Sequence, residues 1–313
     1  MAVYFMPKPE DSYLAGIFNW IKTGRRPRPS FPRAVQFQTL STCNARCIFC
    51  CHRHSPKEIP HGRMADAMIN KIIAECGRHK FAAGRISPCL TNEPLQDKRM
   101  PDIIRSIHKH CGPFVKTKIN TNASLLNEDM SRRLLDSGLT YLWISVNGYS
   151  PETYRESMDL DFTAVMDNIN VFLDMKKTLG RKRPKVVITT IRTKLVENEL
   201  EKAREYWAQR DVVFKIHHLD NRTGEDLTAD LRVSEEQGKL KPKRKCDLFL
   251  KQAYIVENGD MIICCHDWRQ SVVVGNITNS SISEVWNSDH FKKLIYEYYA
   301  EKFNNLEICR NCM

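Results

Sequence analysis

Cys43-Asn44-Ala45-Arg46-Cys47-Ile48-Phe49-Cys50 sets three cysteines in C-x3-C-x2-C spacing, directly after a strand-like stretch, AVQFQTL (34–40). Three thiolates on so short a loop can hold three irons of a cubane iron–sulfur cluster and leave the fourth iron open. Zinc is the competing metal, although it normally takes four protein ligands, or three plus water, from separated pairs. The loop falls at the carboxyl end of the strand, where parallel α/β folds place their chemistry.

Outward from that strand, strand-like and helix-like segments alternate. GRISPCL (84–90), VKTKINT (115–121), TYLWISVN (140–147), KVVITTIRT (185–193) and VVFKIHHL (212–219) read as strands. Helical patterns lie between them near 64–80, 99–111, 127–137, 161–179 and 197–209. The helix at 127–137 has Asn127 as its N-cap and stops before Gly138. Six such units predict a parallel sheet and an α/β fold, a partial (βα)6 TIM-like barrel over 34–219, since a closed barrel needs eight. Residues 1–33 read as an N-terminal extension, helical in SYLAGIFNWIK (12–22) and then basic and proline-rich. Residues 220–245 read as a polar linker. Residues 246–313 read as a small C-terminal domain, a β-hairpin turning at Asn258-Gly259-Asp260 and short helices near 281–287 and 289–300.

Composition narrows the class. The chain has 313 residues, with no run approaching 18 consecutive apolar ones and no basic-then-apolar signal order at its N-terminus. These features predict a soluble, cytoplasmic protein with no membrane partner. In a reducing compartment twelve cysteines point to metal rather than disulfides. Four lie at 43–51 and five at 246–312, with none between 112 and 245, which predicts two metal sites. The net charge of +11 reads as a solvated basic surface suited to an acidic electron donor of flavodoxin or ferredoxin type. No nucleic-acid-binding module accompanies it.

The first cysteine motif, with the aromatic Phe49 before its last cysteine, resembles that of the radical S-adenosylmethionine (SAM) superfamily. The resemblance covers about residues 34–219. It implies a 4Fe–4S cluster on Cys43, Cys47 and Cys50 whose open iron chelates SAM, and reductive cleavage to a 5′-deoxyadenosyl radical that abstracts hydrogen from substrate. It also implies that Phe49 packs near the adenine. Thr91-Asn92-Glu93-Pro94 is similar to the family's Gly-Gly-Glu-Pro turn, with its glycines replaced, and makes Glu93 a candidate partner of the SAM ammonium. Asn120-Thr121-Asn122 resembles the family's TTNG-like segment and points to Asn122. Ser145-Val146-Asn147-Gly148 resembles S-x-D-G and points to Ser145. Arg192, near the end of the fifth strand, could pair with the SAM carboxylate.

Cys246, Gly259 and Cys264 in C-x12-G-x4-C order, followed by Cys309-Arg310-Asn311-Cys312, resemble the auxiliary-cluster domain of SPASM-type enzymes in its shortened "twitch" form. That likeness implies a second 4Fe–4S cluster on Cys246, Cys264, Cys309 and Cys312; a structural zinc is the alternative for four such cysteines. Cys265 and Cys51 exceed the ligand count. Either could donate hydrogen to a substrate radical or simply be a small packed residue. One of His217 and His218 should face the barrel interior.

The leading expectation is an oxidoreductase. A small alcohol- or amine-bearing substrate, sugar- or cyclitol-like, would lose hydrogen to the 5′-deoxyadenosyl radical and pass an electron to the auxiliary cluster. The alternative is a maturase or epimerase acting on a ribosomally made peptide.

Overall fold

The apolar strands of the sequence assemble side by side in chain order. The computed structural model describes residues 3–5, 25–54, 57, 61–219, 229–233 and 246–312, with backbone alone at 3–5, 25–27, 229, 311 and 312. The expected helix at 12–22 and nearly all of the expected linker lie outside these residues. A short parallel pair, β1 (Val3–Phe5) and β2 (Arg25–Pro27), stands apart from the main sheet. The barrel strands are β3 (Ala34–Phe37), β4 (Arg85–Ser87), β5 (Lys116–Thr121), β6 (Tyr141–Ser145), β7 (Lys185–Arg192) and β8 (Val213–His218). Each pairs in parallel with the next.

Between them run α1 (Cys51–His54), α2 (Asp66–Arg78), α3 (Met100–Cys111), α4 (Glu128–Leu135), α5 (Pro151–Met158), α6 (Phe162–Thr178) and α7 (Leu200–Ala208). Asn127 caps α4 as its sequence suggests, accepting the Met130 N–H at 2.9 Å, and Gly138 turns the chain away at φ +86°. Strand alternation divides the sheet. On β6, Leu142 and Ile144 are buried against the helices with Ile119, Ile169 and Phe172, while Trp143 and Ser145 face inward.

The barrel does not close. β3 instead takes β9 (Gln252–Ile255) as its other neighbour, in parallel register from Ala34↔Gln252 to Phe37↔Ile255. β10 (Asp260–Ile262) and β11 (Val273–Asn276) follow, both antiparallel, giving one nine-stranded sheet. The expected C-terminal hairpin is thus β9–β10. The third strand, β11, and the fusion with the barrel sheet are additions that the sequence reading lacked. Three helices complete this end: α8 (Ile282–Trp286), α9 (Asp289–Tyr299) and α10 (Glu307–Cys312).

One core spans both halves, with Val35, Ile72 and Ile86 in the same cluster as Phe249, Trp286 and Tyr298. Glu75 on α2, 2% exposed, accepts the backbone N–H groups of Ile282 and Ser283 at 2.8 Å each. A carboxylate there satisfies two orphan donors at the start of α8 and complements the helix dipole. Among the described residues no helix is long and apolar enough to cross a membrane.

Candidate active site

The cysteine loop is held from below by α5. Arg46 N–H donates to the Met158 carbonyl at 3.1 Å and Ile48 N–H to the Ser157 carbonyl at 2.9 Å. Cys50 N–H closes a turn on the Cys47 carbonyl at 3.0 Å, so Cys47 and Cys50 stand one turn apart. Cys43, Cys47 and Cys50 are all half-buried. Burial, then the nearby Glu93 and Cys50, push the Cys43 thiol up to about 12. A thiolate there needs a cation beside it, which a bound metal would supply. Three soft sulfur donors on one stitched loop fit a cubane, which gives each thiolate its own iron corner. Among the described residues no three His, Cys, Asp or Glu side chains converge as the ligands of one ion would.

Glu93 lies in the turn after β4 and is 2% exposed. Its carboxylate accepts from Leu95 N–H at 2.9 Å, Thr121 Oγ1 at 2.7 Å and Asn122 N–H at 2.8 Å. Burial outweighs these donors and raises its pKa to about 7. Asn122 follows β5, its side chain beside Cys43 and donating to Asn44 Oδ1 at 3.1 Å. Glu93, Asn122 and Cys43 therefore share one rim of the barrel. His52 ties α1 to the same turn through the Thr91 carbonyl, 2.6 Å away.

A cavity of about 300 Å³ is lined by Ser145 of β6, Thr189 and Ile191 of β7 and His217 of β8, together with Phe49 and His266. Phe49 and Ser145 thus share one space. Arg192 does not join them. It alternates with the lining residue Ile191, and its guanidinium is engaged by both oxygens of Glu197.

The second cysteine group gathers around two buried tyrosines. The left-handed turn at Gly259, φ +91°, folds β10 back on β9. Cys246 N–H donates to the Tyr298 hydroxyl at 2.5 Å, and both Cys246 and Cys309 act electrostatically on that tyrosine. Cys264 is pushed far up by burial, with Cys265 and Cys309 adding to it. Cys246, Cys264 and Cys309 all pack on the shared core, and Cys309 acts electrostatically on Cys264. Cys312 lies on α10, its side chain outside the described residues. Cys265 sits against Tyr254 and acts electrostatically on Lys118, a cavity-lining side chain.

Lys118, Trp143 and His266 line the cavity and were missed in the sequence. Alternation along β5 and β6 carried the signal for Lys118 and Trp143; His266 depends on how the chain leaves β10.

The family model described as the radical SAM superfamily matches residues 38–205, and that of the SPASM iron–sulfur cluster-binding domain matches 246–313. The chain is 22% identical over 281 residues to the S-adenosyl-L-methionine-dependent 2-deoxy-scyllo-inosamine dehydrogenase of Niallia circulans, covering 89% of this chain and 91% of that one. The crystal structure of BtrN with AdoMet and 2-DOIA superimposes with a TM-score of 0.59 at 20% identity, covering 90% of this chain and 92% of that one. That of Streptococcus suis SuiB bound to precursor peptide SuiA gives 0.65 at 15% identity, covering 92% and 74%. With its core matched over more than half its length, the chain belongs to the radical SAM superfamily, as an enzyme that uses SAM and a 4Fe–4S cluster and carries a C-terminal SPASM domain for auxiliary iron–sulfur binding.

Proposed function

We propose that this enzyme oxidises a small alcohol- or amine-bearing substrate of sugar or cyclitol type. Cys43, Cys47 and Cys50 hold the SAM-binding cluster, with Phe49, Glu93, Asn122 and Ser145 around SAM; Cys246, Cys264, Cys309 and Cys312 hold the second. Arg192 is left out, because Glu197 already occupies its fork. A cluster held by Cys43, Cys47 and Cys50 would, with SAM, supply the radical chemistry that removes a hydrogen atom from a substrate carbon, and one held by Cys246, Cys264, Cys309 and Cys312 would supply the acceptor for the second electron of the oxidation. His217 takes the proton. It lines the cavity, and burial together with Lys215, Lys118 and His218 keeps its imidazole below the ordinary value and hence neutral. A flavodoxin- or ferredoxin-type donor, acidic against this basic chain, delivers the electron that starts the reaction.

The observation that supports this reading is that segments adjoining both cysteine groups reach one cavity: Phe49, between Cys47 and Cys50, lines it, and so does His266, two residues after Cys264. The dehydrogenase named among the relatives, aligned along nearly the whole chain, lends the reaction class. The test is the ratio of oxidised product to 5′-deoxyadenosine in Cys309→Ala/Cys312→Ala. The variant should still make 5′-deoxyadenosine but little product. An unchanged ratio after proven iron loss defeats the electron-acceptor role.

A second reading, epimerisation of a ribosomally made peptide, draws on Cys265. Its place between Tyr254 and the cavity-lining Lys118 suits a hydrogen donor to a substrate radical. Deuterium from D2O entering the product would favour it over oxidation.

A further inference from the structure

The inward face of the barrel sheet carries a cationic strip that oxidation alone does not require. Lys118 Nζ on β5 stands 3.7 Å from the centroid of the Trp143 ring on β6. Lys215 Nζ on β8 is 5.1 Å from the same centroid, and His217 stacks toward it at 6.2 Å between ring centres. His218 and His266 extend the basic lining, and Arg85 on β4 adds to the field at Lys118. None of the residues lining the cavity is a carboxylate. Among the described residues neither Lys118 nor Lys215 forms an ion pair. Gathering like charges in a concave, partly desolvated space is unfavourable until an anion enters, and the same field concentrates anions there.

The strip lies deeper than the rim at Asn122. β5–β6 register sets Lys118 opposite Tyr141 and Asn120 opposite Trp143. Lys118 is four residues before Asn122, about 13 Å along an extended strand. In the proposed arrangement, Glu93, Asn122 and Cys43 surround the SAM end at the rim, and Phe49 and Ser145 line the space that SAM shares with the substrate; Ser145 lies two residues beyond Trp143 on β6, which leaves the Lys118 layer to the substrate.

We propose that the substrate is anionic, its phosphate or carboxylate seated between Lys118 and Lys215 against Trp143, with its reacting carbon toward His217. This rests on the oxidation reading only for the substrate's orientation, and it selects the alcohol over the amine, whose ammonium these cations would repel.

Substrate-independent probes test it on the reconstituted holoenzyme. The protein is labelled with 5-fluorotryptophan, and the Trp143 fluorine resonance is assigned by its loss in Trp143→Phe. It is titrated with inorganic phosphate, acetate, glucosamine and sodium chloride at equal ionic strength. Phosphate, acetate or both should shift the resonance saturably, the stronger naming the anion class, while chloride and glucosamine should not. Lys118→Gln and Lys215→Gln should each weaken that binding about tenfold or more. Lys215 is exposed on β8, so its variant stays informative if Lys118→Gln folds poorly. The proposal falls if phosphate and acetate behave like chloride, if glucosamine binds as well as they do, or if binding survives both substitutions. The product-to-5′-deoxyadenosine ratio is independent of these titrations, so the two readings fail separately.

Discussion

The Glu93 carboxylate accepts the backbone N–H of Asn122 at 2.8 Å, and the Asn122 side chain in turn faces Cys43. With Leu95 N–H and Thr121 Oγ1 as further donors, one buried carboxyl group joins the turn after β4 to the end of β5. Carboxylate oxygens accept more than one bond each, so a SAM ammonium can still be served. Glu93→Gln keeps the shape and removes the charge. A charge-assisted hydrogen bond contributes about 1.5–3 kcal/mol, so SAM affinity should fall about 10- to 100-fold in equilibrium dialysis. A lower melting temperature with unchanged SAM affinity would make Glu93 a structural tie only.

The two cysteine groups should load separately. The first is stitched to α5 and the second is packed around Tyr254 and Tyr298. Reconstituted protein should hold about eight irons, and Cys43→Ala/Cys47→Ala/Cys50→Ala about four, with no 5′-deoxyadenosine formed. Iron near zero in that variant, with zinc at 246–312, would overturn the auxiliary-cluster assignment.

Much of this arrangement is written locally. The cysteine spacing, the Asn127 cap and the alternation along β5 to β8 are short-range signals, and the fold follows them. Arg192 shows the limit of reading a residue type at a strand end. Strand alternation already set it apart from Ile191, and a competing carboxylate stood five residues on at Glu197. The pairing of β3 with β9 joins residues more than 200 positions apart, and its parallel register is settled by the shared core and by Glu75 under α8. The meeting of Lys118 with Trp143 likewise depends on β5–β6 register, which no single segment encodes.

His217 gives the oxidation a pH signature. Burial, then Lys215, Lys118 and His218, depress its pKa below the ordinary 6.5. A neutral imidazole is the competent base, so activity is lost as pH falls through that depressed value. At saturating SAM, whose ammonium would hold Glu93 ionised, the acid limb of kcat/KM for the substrate should therefore lie below 6.5. His217→Gln should slow product formation about 100-fold or more while 5′-deoxyadenosine is still produced. A limb above the ordinary imidazole value, or an unchanged product ratio in the variant, would remove His217 from the proton transfer.

Gly259 makes the hairpin that returns the chain toward Cys264, and only there does the turn demand a left-handed backbone, at φ +91°. A Cβ added at this position would meet Thr278 Oγ1 at 3.0 Å and the Met68 Cε of α2 at 3.1 Å. Gly259→Ala thus combines an unfavourable φ, about 1–2 kcal/mol for an L-residue, with contacts on both sides of the turn. The Gly259 carbonyl also accepts Ile277 N–H at 2.8 Å, so twisting the turn to relieve strain weakens the approach to α8. The urea midpoint of the metal-free protein should fall accordingly. Because metal binding is linked to folding, auxiliary iron should load less completely at limiting iron, whereas SAM-cluster iron should not change. An unaltered midpoint with full auxiliary loading would mean that the turn relaxes freely and that its geometry does not position Cys264.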